Sequence, residues 1–264
     1  MGTHYGVKKW SMLKKYLNIT QKLLKYYLSS DRKTLKSRVK VLSKQRRGDK
    51  IIILCNGPSL NKVDFEQLAQ SGVDTIGLNK INLLFDRTTF RPTYILSINR
   101  LVIEQNRDFF KETKIPVFLE RASAHEFGIR SAVPIQSVAT RGEFSPAIYN
   151  GYIQGFTVTY AALQLAYSLG YRNIALVGCD HYFVDKGRPN QTVTAQTADL
   201  NHFSPNYFGP GTAWQLPDLL GSEFHYQLAR EFLHDKGIPV WNCTEGGHLE
   251  VFARKELSEF LQEP

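Results

Sequence analysis

Cysteine is scarce in this 264-residue sequence: Cys55, Cys179 and Cys243 stand far apart, with no C-x-x-C pair and no Cys/His cluster. That spacing argues against a disulfide framework or a structural zinc, so a reducing cytoplasm is the expected compartment. Long apolar runs are missing as well. No stretch of 18 apolar residues occurs and lysines interrupt the first 30 residues, so neither a membrane span nor a signal-peptide core is expected. The phosphate-loop signatures G-x-x-x-x-G-K-[ST] and G-x-G-x-x-G are absent, and so is D-x-D. Acidic residues are nearly missing from one end only. Residues 1–50 hold 15 Lys/Arg against 2 Asp, a net +13, which leaves 18 against 22, a net −4, for residues 51–264.

The basic character therefore belongs to an N-terminal segment, taken as an extension over residues 1–47 ahead of a domain over 48–264. Trp10, Leu13, Leu17, Leu24 and Tyr27 fall at helical spacing among lysines, which predicts a basic amphipathic helix over residues 8–30. A second basic helix or linker follows over 31–50. Such a segment suits an anionic membrane surface, which would make the protein peripheral on the inner face of the cell membrane. It equally suits packing on the domain or a homo-oligomer contact with the basic face in water. Nucleic acid is not expected, because the rest of the chain is net acidic and carries no nucleic-acid motif.

The domain is organised around Ile51-Ile52-Ile53-Leu54-Cys55-Asn56-Gly57-Pro58-Ser59-Leu60, a β-branched apolar run that ends in a glycine turn. It predicts a buried strand delivering a polar loop. Gly57 permits close backbone approach, Pro58 presets φ, and exposed N–H groups in this turn would form a nest for a phosphate. The same residues also fit a plain strand-to-helix turn capped by Ser59 or Asp64. Further apolar runs recur at Val73–Leu78, Thr93–Ile98, Ile115–Leu119, Ile174–Val177 and Pro239–Trp241. Helical patterns over Asp64–Gln70, Leu101–Lys111, Thr157–Leu169, Asp218–Lys236 and Arg254–Gln262 lie between or after them. This alternation predicts an α/β, Rossmann-like, mostly parallel sheet with flanking helices.

In open parallel sheets ligands bind beyond the carboxyl ends of the strands. The residues there are Asn56, Asn79, Asn99, Asp180 and Asn242, hydrogen-bonding groups suited to ribose, base or sugar hydroxyls. Gly178 closes another strand and releases Asp180, His181 and Tyr182. About 39 residues rich in Gly, Pro, Asn and Thr then precede the Asp218 helix, a length typical of a functional loop. Within it His202, crowded by aromatics, is a candidate general base. Tyr182 and Arg188 are candidates to hydrogen-bond a departing phosphate. Arg121, Arg130 and Arg141 offer cations to an anionic substrate or to solvent.

Together Cys55-Asn56-Gly57-Pro58-Ser59-Leu60, Leu78-Asn79, Ile98-Asn99, Leu169-Gly170-Tyr171, Gly178-Cys179-Asp180-His181-Tyr182 and Asn201-His202-Phe203 resemble, in order, the MptE-like family, over roughly residues 48–250. That family is named for an archaeal 6-hydroxymethylpterin diphosphokinase. More distantly, the set is similar to bacterial sialyltransferases and to flagellin-modifying motility accessory factors. The sialyltransferase likeness implies a GT-A-like fold and an inverting, metal-independent transfer from a CMP-activated nonulosonic acid to a glycan, protein or lipid-linked acceptor. No cofactor beyond the nucleotide sugar would be required. It implies nucleotide contacts for Asn56, Gly57, Asn79 and Asn99, phosphate contact for Tyr182 and the base role for His202. Arg188 stands near the place of a second phosphate-binding tyrosine, and Gln154-Gly155 stands where an arginine is expected. The diphosphokinase likeness implies Mg²⁺ with ATP and pyrophosphate transfer to a pterin alcohol, with Asp180 as a metal ligand. A non-catalytic nucleotide- or glycan-binding module is the remaining alternative.

Overall fold

A computed structural model describes residues 21, 23–138 and 143–263. Most of the helix expected over residues 8–30, and Arg141, lie outside them. The first helix with defined ends, α1 (Ser30–Lys44), starts where the Ser29 hydroxyl accepts the Arg32 N–H. The chain then runs through β1 (Lys50–Leu54), α2 (Phe65–Gln70), β2 (Asp74–Leu78), β3 (Tyr94–Ser97), α3 (Arg100–Gln105), α4 (Arg107–Glu112), β4 (Val117–Glu120), α5 (Arg121–Glu126) and β5 (Val133–Ile135). After α6 (Val158–Leu169) and β6 (Asn173–Val177) come β7 (Thr192–Thr194), β8 (Ala213–Gln215), α7 (Leu219–His234), β9 (Val240–Asn242), β10 (Ala253–Arg254) and α8 (Leu257–Gln262).

Among the described residues eight strands form one sheet in the order β10-β9-β6-β1-β2-β3-β4-β5, and every neighbouring pair is parallel. The fold is thus the expected Rossmann-like α/β arrangement. Successive strands step outward from β1 to β5, after which the chain crosses to β6 on the other side of β1. That reversal places the switch point, where such sheets bind ligands, between the ends of β1 and β6.

Burial on both faces explains the unbroken apolar runs. Ile51 and Ile53 point to one layer with α1, α6 and α7, while Ile52 and Leu54 point to the other with Leu68 of α2, Ile103 of α3, Phe110 of α4 and Phe260 of α8. Helix α6 is the centre of the first layer. Thr157 caps its start, nine of its twelve residues are buried, and Gly170 at φ 93° ends it in the left-handed region. Helix α1 belongs to the same layer through Leu35, Val39 and Leu42. The boundary expected at residue 48 therefore falls just after a helix whose apolar face is already in the core.

Some expectations change in detail. The helix expected over Leu101–Lys111 is two helices, because Asn106 leaves helical geometry (φ −112°, ψ 15°) and its side chain donates to Asn82 Oδ1 at 2.8 Å. Strand β5 was not expected, since Pro134 weakens the pattern; the edge of the sheet tolerates it. The long loop before α7 contains an antiparallel ribbon, β7–β8.

Candidate active site

The turns after β1 and β6 are joined. Gly57 N–H donates to the Gly178 carbonyl at 2.9 Å, and Asp180 accepts from the Ser59 N–H at 3.2 Å and the Ser59 hydroxyl at 2.6 Å. A methyl group on Gly57 would fall 1.9 Å from Asp180 Oδ2, so only glycine admits this contact. The expected phosphate nest is thereby corrected. Its Ser59 N–H is already held by the Asp180 carboxylate, Ser59 is buried, and neither Pro58 nor Ser59 lines the cleft beyond the strands. Asp180 does line it, but as the tie between the two turns.

That cleft has a volume of about 1020 Å³ and brings together Asn56, Gly57, Asn79, Asn99, Gly178, Asp180, Tyr182 and His202. Asn56 carries a buried Oδ1 with no hydrogen-bond partner among the described residues, while its backbone carbonyl accepts the Phe203 N–H at 2.9 Å. Asn79 adopts φ 51°, which asparagine tolerates, and its Oδ1 accepts from Ser97 Oγ at 3.0 Å. Asn99 caps α3 through Oδ1 and donates from Nδ2 to Gln215 at 3.0 Å, so its amide is engaged by the protein. Tyr182 stands half-exposed at the rim, its ring 5.2 Å from that of His248.

Two candidates fall away. Arg188 is exposed and outside the cleft lining, in a turn whose carbonyl accepts from Gln191. Asn242 is buried beneath the site, accepting from the Thr244 N–H and donating to the Leu249 carbonyl. Of the outlying arginines, Arg121 pairs with Asp31 at 2.5 Å and Arg130 is exposed.

The loop carrying His202 is pinned on three sides. Phe203 N–H bonds to Asn56, Asn61 donates to the Phe203 carbonyl at 2.9 Å, and the buried Lys80 ammonium donates to the Tyr207 carbonyl at 2.6 Å. Burial brings Lys80 down to about 8, against the pull of Asp199. The His202 ring lies flat on Tyr207, with centroids 3.9 Å apart and planes 1° from parallel, and meets Phe208 and Phe183 edge-on. Its Nδ1 bonds Asp199 Oδ2 at 2.7 Å, and Nε2 has no partner among the described residues. Burial alone would raise the Asp199 carboxyl, but its bonds to His202 and to the N–H groups of Asn201 and Phe208 hold it below the usual carboxylate range. A carboxylate at Nδ1 favours the tautomer with the proton there, leaving Nε2 as an acceptor.

Sequence reasoning missed Asp199; the D-x-x-H spacing in the loop was the available signal. It also missed His225, which lines the same cleft and whose Nδ1–H donates to the Gly221 carbonyl at 2.8 Å. A histidine inside a helix gives no local sign of this. Beside it Phe156 holds φ 59°, unusual for a bulky residue, and stays half-exposed at the mouth. In the cleft lining, the neighbouring Cys179 thiol, together with burial, pushes the free Cys55 thiol well up, which disfavours its thiolate. Among the cleft-lining residues the cation Arg100 is held by Glu104 and Glu126, and among the described residues no group of three or more His, Cys, Asp and Glu surrounds a metal-sized space.

A family model described as 6-hydroxymethylpterin diphosphokinase MptE-like matches residues 25–186. That span takes in α1 and ends before the His202 loop. No curated protein matches the chain. Among solved structures, a MAf glycosyltransferase from Magnetospirillum magneticum AMB-1 aligns over 86% of this chain with a TM-score of 0.51 and 15% identity. The chain spans 39% of that protein, and likeness at this identity concerns the fold.

Proposed function

From the premise that this chain belongs to the 6-hydroxymethylpterin diphosphokinase MptE-like family, we propose that it is a glycosyltransferase acting on a nucleotide-activated sugar. The donor of choice is a CMP-activated nonulosonic acid, and the acceptor is a hydroxyl of a glycan, protein or lipid-linked sugar. The observation that carries the reading is the Asp199–His202 dyad facing the same cleft as Asn56, Asn79 and Asn99. A nucleotide beyond the ends of β1 and β2 would satisfy the orphaned Asn56 Oδ1, which needs a donor such as an amino or hydroxyl group.

In this mechanism His202 Nε2 accepts the proton of the acceptor hydroxyl as its oxygen attacks the anomeric carbon. Asp199 keeps the imidazole in the receptive tautomer and stabilises the imidazolium that forms. The nucleotide phosphate leaves from the opposite face of that carbon, giving inversion. The lining offers no unpaired cation among the described residues, so neutral donors are left to meet the phosphate, with Tyr182 at the rim the candidate.

The family's description supports a second reading, pyrophosphoryl transfer from ATP with Mg²⁺. The carboxylate that reading would use, Asp180, is taken up by the Ser59 N–H and hydroxyl, so it would have to leave that tie to meet the ion. Thermal shift with CMP, CDP, UDP, GDP and ATP, each with and without Mg²⁺, separates the readings, since a ligand that binds the native state raises the melting temperature. Stabilisation by CMP without metal is the expected outcome; stabilisation by ATP only with Mg²⁺ would replace it with the kinase. Nucleotide binding with no donor consumed, whatever the acceptor, would leave a binding module.

A further inference from the structure

Helix α1 uses one face in the fold and presents another of a single sign. Leu35, Val39 and Leu42 turn into the core, while Lys33, Lys36, Lys40 and Lys44 recur at three- and four-residue spacing on the opposite side and are exposed. None of these lysines makes an ion pair among the described residues. The acidic residue of the helix, Asp31, is engaged inward by Arg121 at 2.5 Å and His125 at 2.8 Å.

Just before α1, residues 23–28 are helical. Tyr26 is buried there and its hydroxyl donates to the Tyr149 carbonyl at 3.1 Å. With Tyr26 as the anchor, Leu24, Tyr27 and Leu28 face outward at 59%, 42% and 74% exposure. Leu24 and Leu28 are one turn apart and share a side. Burial among the described residues does not account for two leucines set together on one side of a helix that leads into an unpaired cationic stripe.

The Asp31 end of α1 adjoins the cleft end of the sheet, while its Lys44 end lies toward the strand starts, where Arg46 bonds the Gly170 carbonyl and Arg47 bonds Asp74. Asp31 meets α5, which directly follows β4, and Glu120, Ser123 and Glu126 of that same β4–α5 segment line the cleft.

We propose that Leu24, Tyr27 and Leu28, with the lysine stripe of α1, dock this protein on an anionic lipid bilayer. The leucines enter the headgroup boundary and the ammonium groups face the charged surface, which lays the flank of the domain along the membrane with the β4–α5 rim of the cleft at one end of the contact. Charge selects an anionic partner, and the leucines select lipid over nucleic acid, which has no apolar layer to receive them. The proposal draws on the transferase reading only for what the position accomplishes: a lipid-linked acceptor would meet the cleft without leaving the bilayer.

The test is co-sedimentation of the full chain with vesicles of phosphatidylserine in phosphatidylcholine and with phosphatidylcholine alone. Pelleting with the anionic vesicles only, weakened by salt, is expected. The double variants Leu24→Ser/Leu28→Ser and Lys33→Glu/Lys40→Glu should each lower partition by about tenfold or more. All four positions are exposed, so melting temperatures should match the parent and a folding defect is separable. Equal pelleting with neutral vesicles, or parental pelleting by both variants, would overturn the proposal. So would a lysine variant that loses duplex-DNA retention while its vesicle pelleting is unchanged. No donor or acceptor enters the measurement, so its failure and that of the transferase reading are told apart.

Discussion

Replacing Asp199 by Asn tests the dyad while preserving side-chain volume. The carboxylate is only 3% exposed, and its two oxygens serve three donors: Oδ1 accepts from Asn201 N–H at 2.8 Å, and Oδ2 accepts from Phe208 N–H at 3.2 Å and His202 Nδ1 at 2.7 Å. An amide has one oxygen for these two places. With its NH₂ toward His202, the ring must accept at Nδ1, the proton moves to Nε2, and the base is lost. With its NH₂ toward Asn201, a buried N–H loses its acceptor. Either arrangement leaves one backbone donor facing an amide NH₂, which costs about 1–3 kcal/mol of stability. Acceptor-dependent nucleotide release should fall by about 10²- to 10⁴-fold, the range seen when a general base loses its function or tautomer. The nucleotide-induced rise in melting temperature should persist, because Asn56 and Asn79 stand on other elements. Since the two residues act as a unit, His202→Ala with Asp199→Asn should be no slower than His202→Ala alone. Asp199→Ala turnover within about threefold of the parent would refute the dyad, as would a double variant slowed by the product of the two single effects.

The other expectations concern the scaffold and the donor site. Gly57→Ala drives a methyl into Asp180 and to 2.8 Å from the Gly178 carbonyl, so it should lose about 2 kcal/mol or more in urea unfolding; Gly48→Ala, which meets nothing within 4 Å, should be near neutral. Asn56→Ala removes an orphaned oxygen, so the free protein should melt within a few degrees of the parent while nucleotide affinity, read by thermal titration, drops by about tenfold. Asp74 is buried, which alone would raise it, yet its bonds from Arg47 and Tyr171 hold it below its ordinary value of 3.8. The stability it contributes is therefore present above that value and lost as pH falls through the lower folded one. Urea unfolding of Asp74→Asn should show reduced stability at neutral pH and a shallower decline on acidification.

Much of the fold was legible because its signals are local. The runs at Ile51–Leu54 and Ile174–Val177, the caps at Asp64, Thr157 and Asp218, and the left-handed Gly170 each need only neighbouring residues to be read. The misses follow the same logic. Asn106 broke a helix by reaching Asn82, and β5 was hidden by a proline that only an edge position tolerates. Of the site, His202, Asn56, Asn79 and Asn99 were visible as polar residues following apolar runs or crowded by aromatics. Pro58, Ser59 and Arg188 looked equivalent by the same pattern, and are not in the cleft.

By itself the sequence determined the α/β class, the strand and helix periods, the isolated cysteines and the concentration of positive charge in the first 50 residues. All of these follow from residue type and short-range spacing. Tertiary structure alone decided that Asp180 closes the Gly57 turn, that Asp199 holds His202, that Asn99 caps a helix, and that α1 buries its leucines while leaving its lysines outside. These outcomes depend on which side chains meet across the sheet and on which partner each polar group finds there, and such pairings are set only when distant segments are packed together.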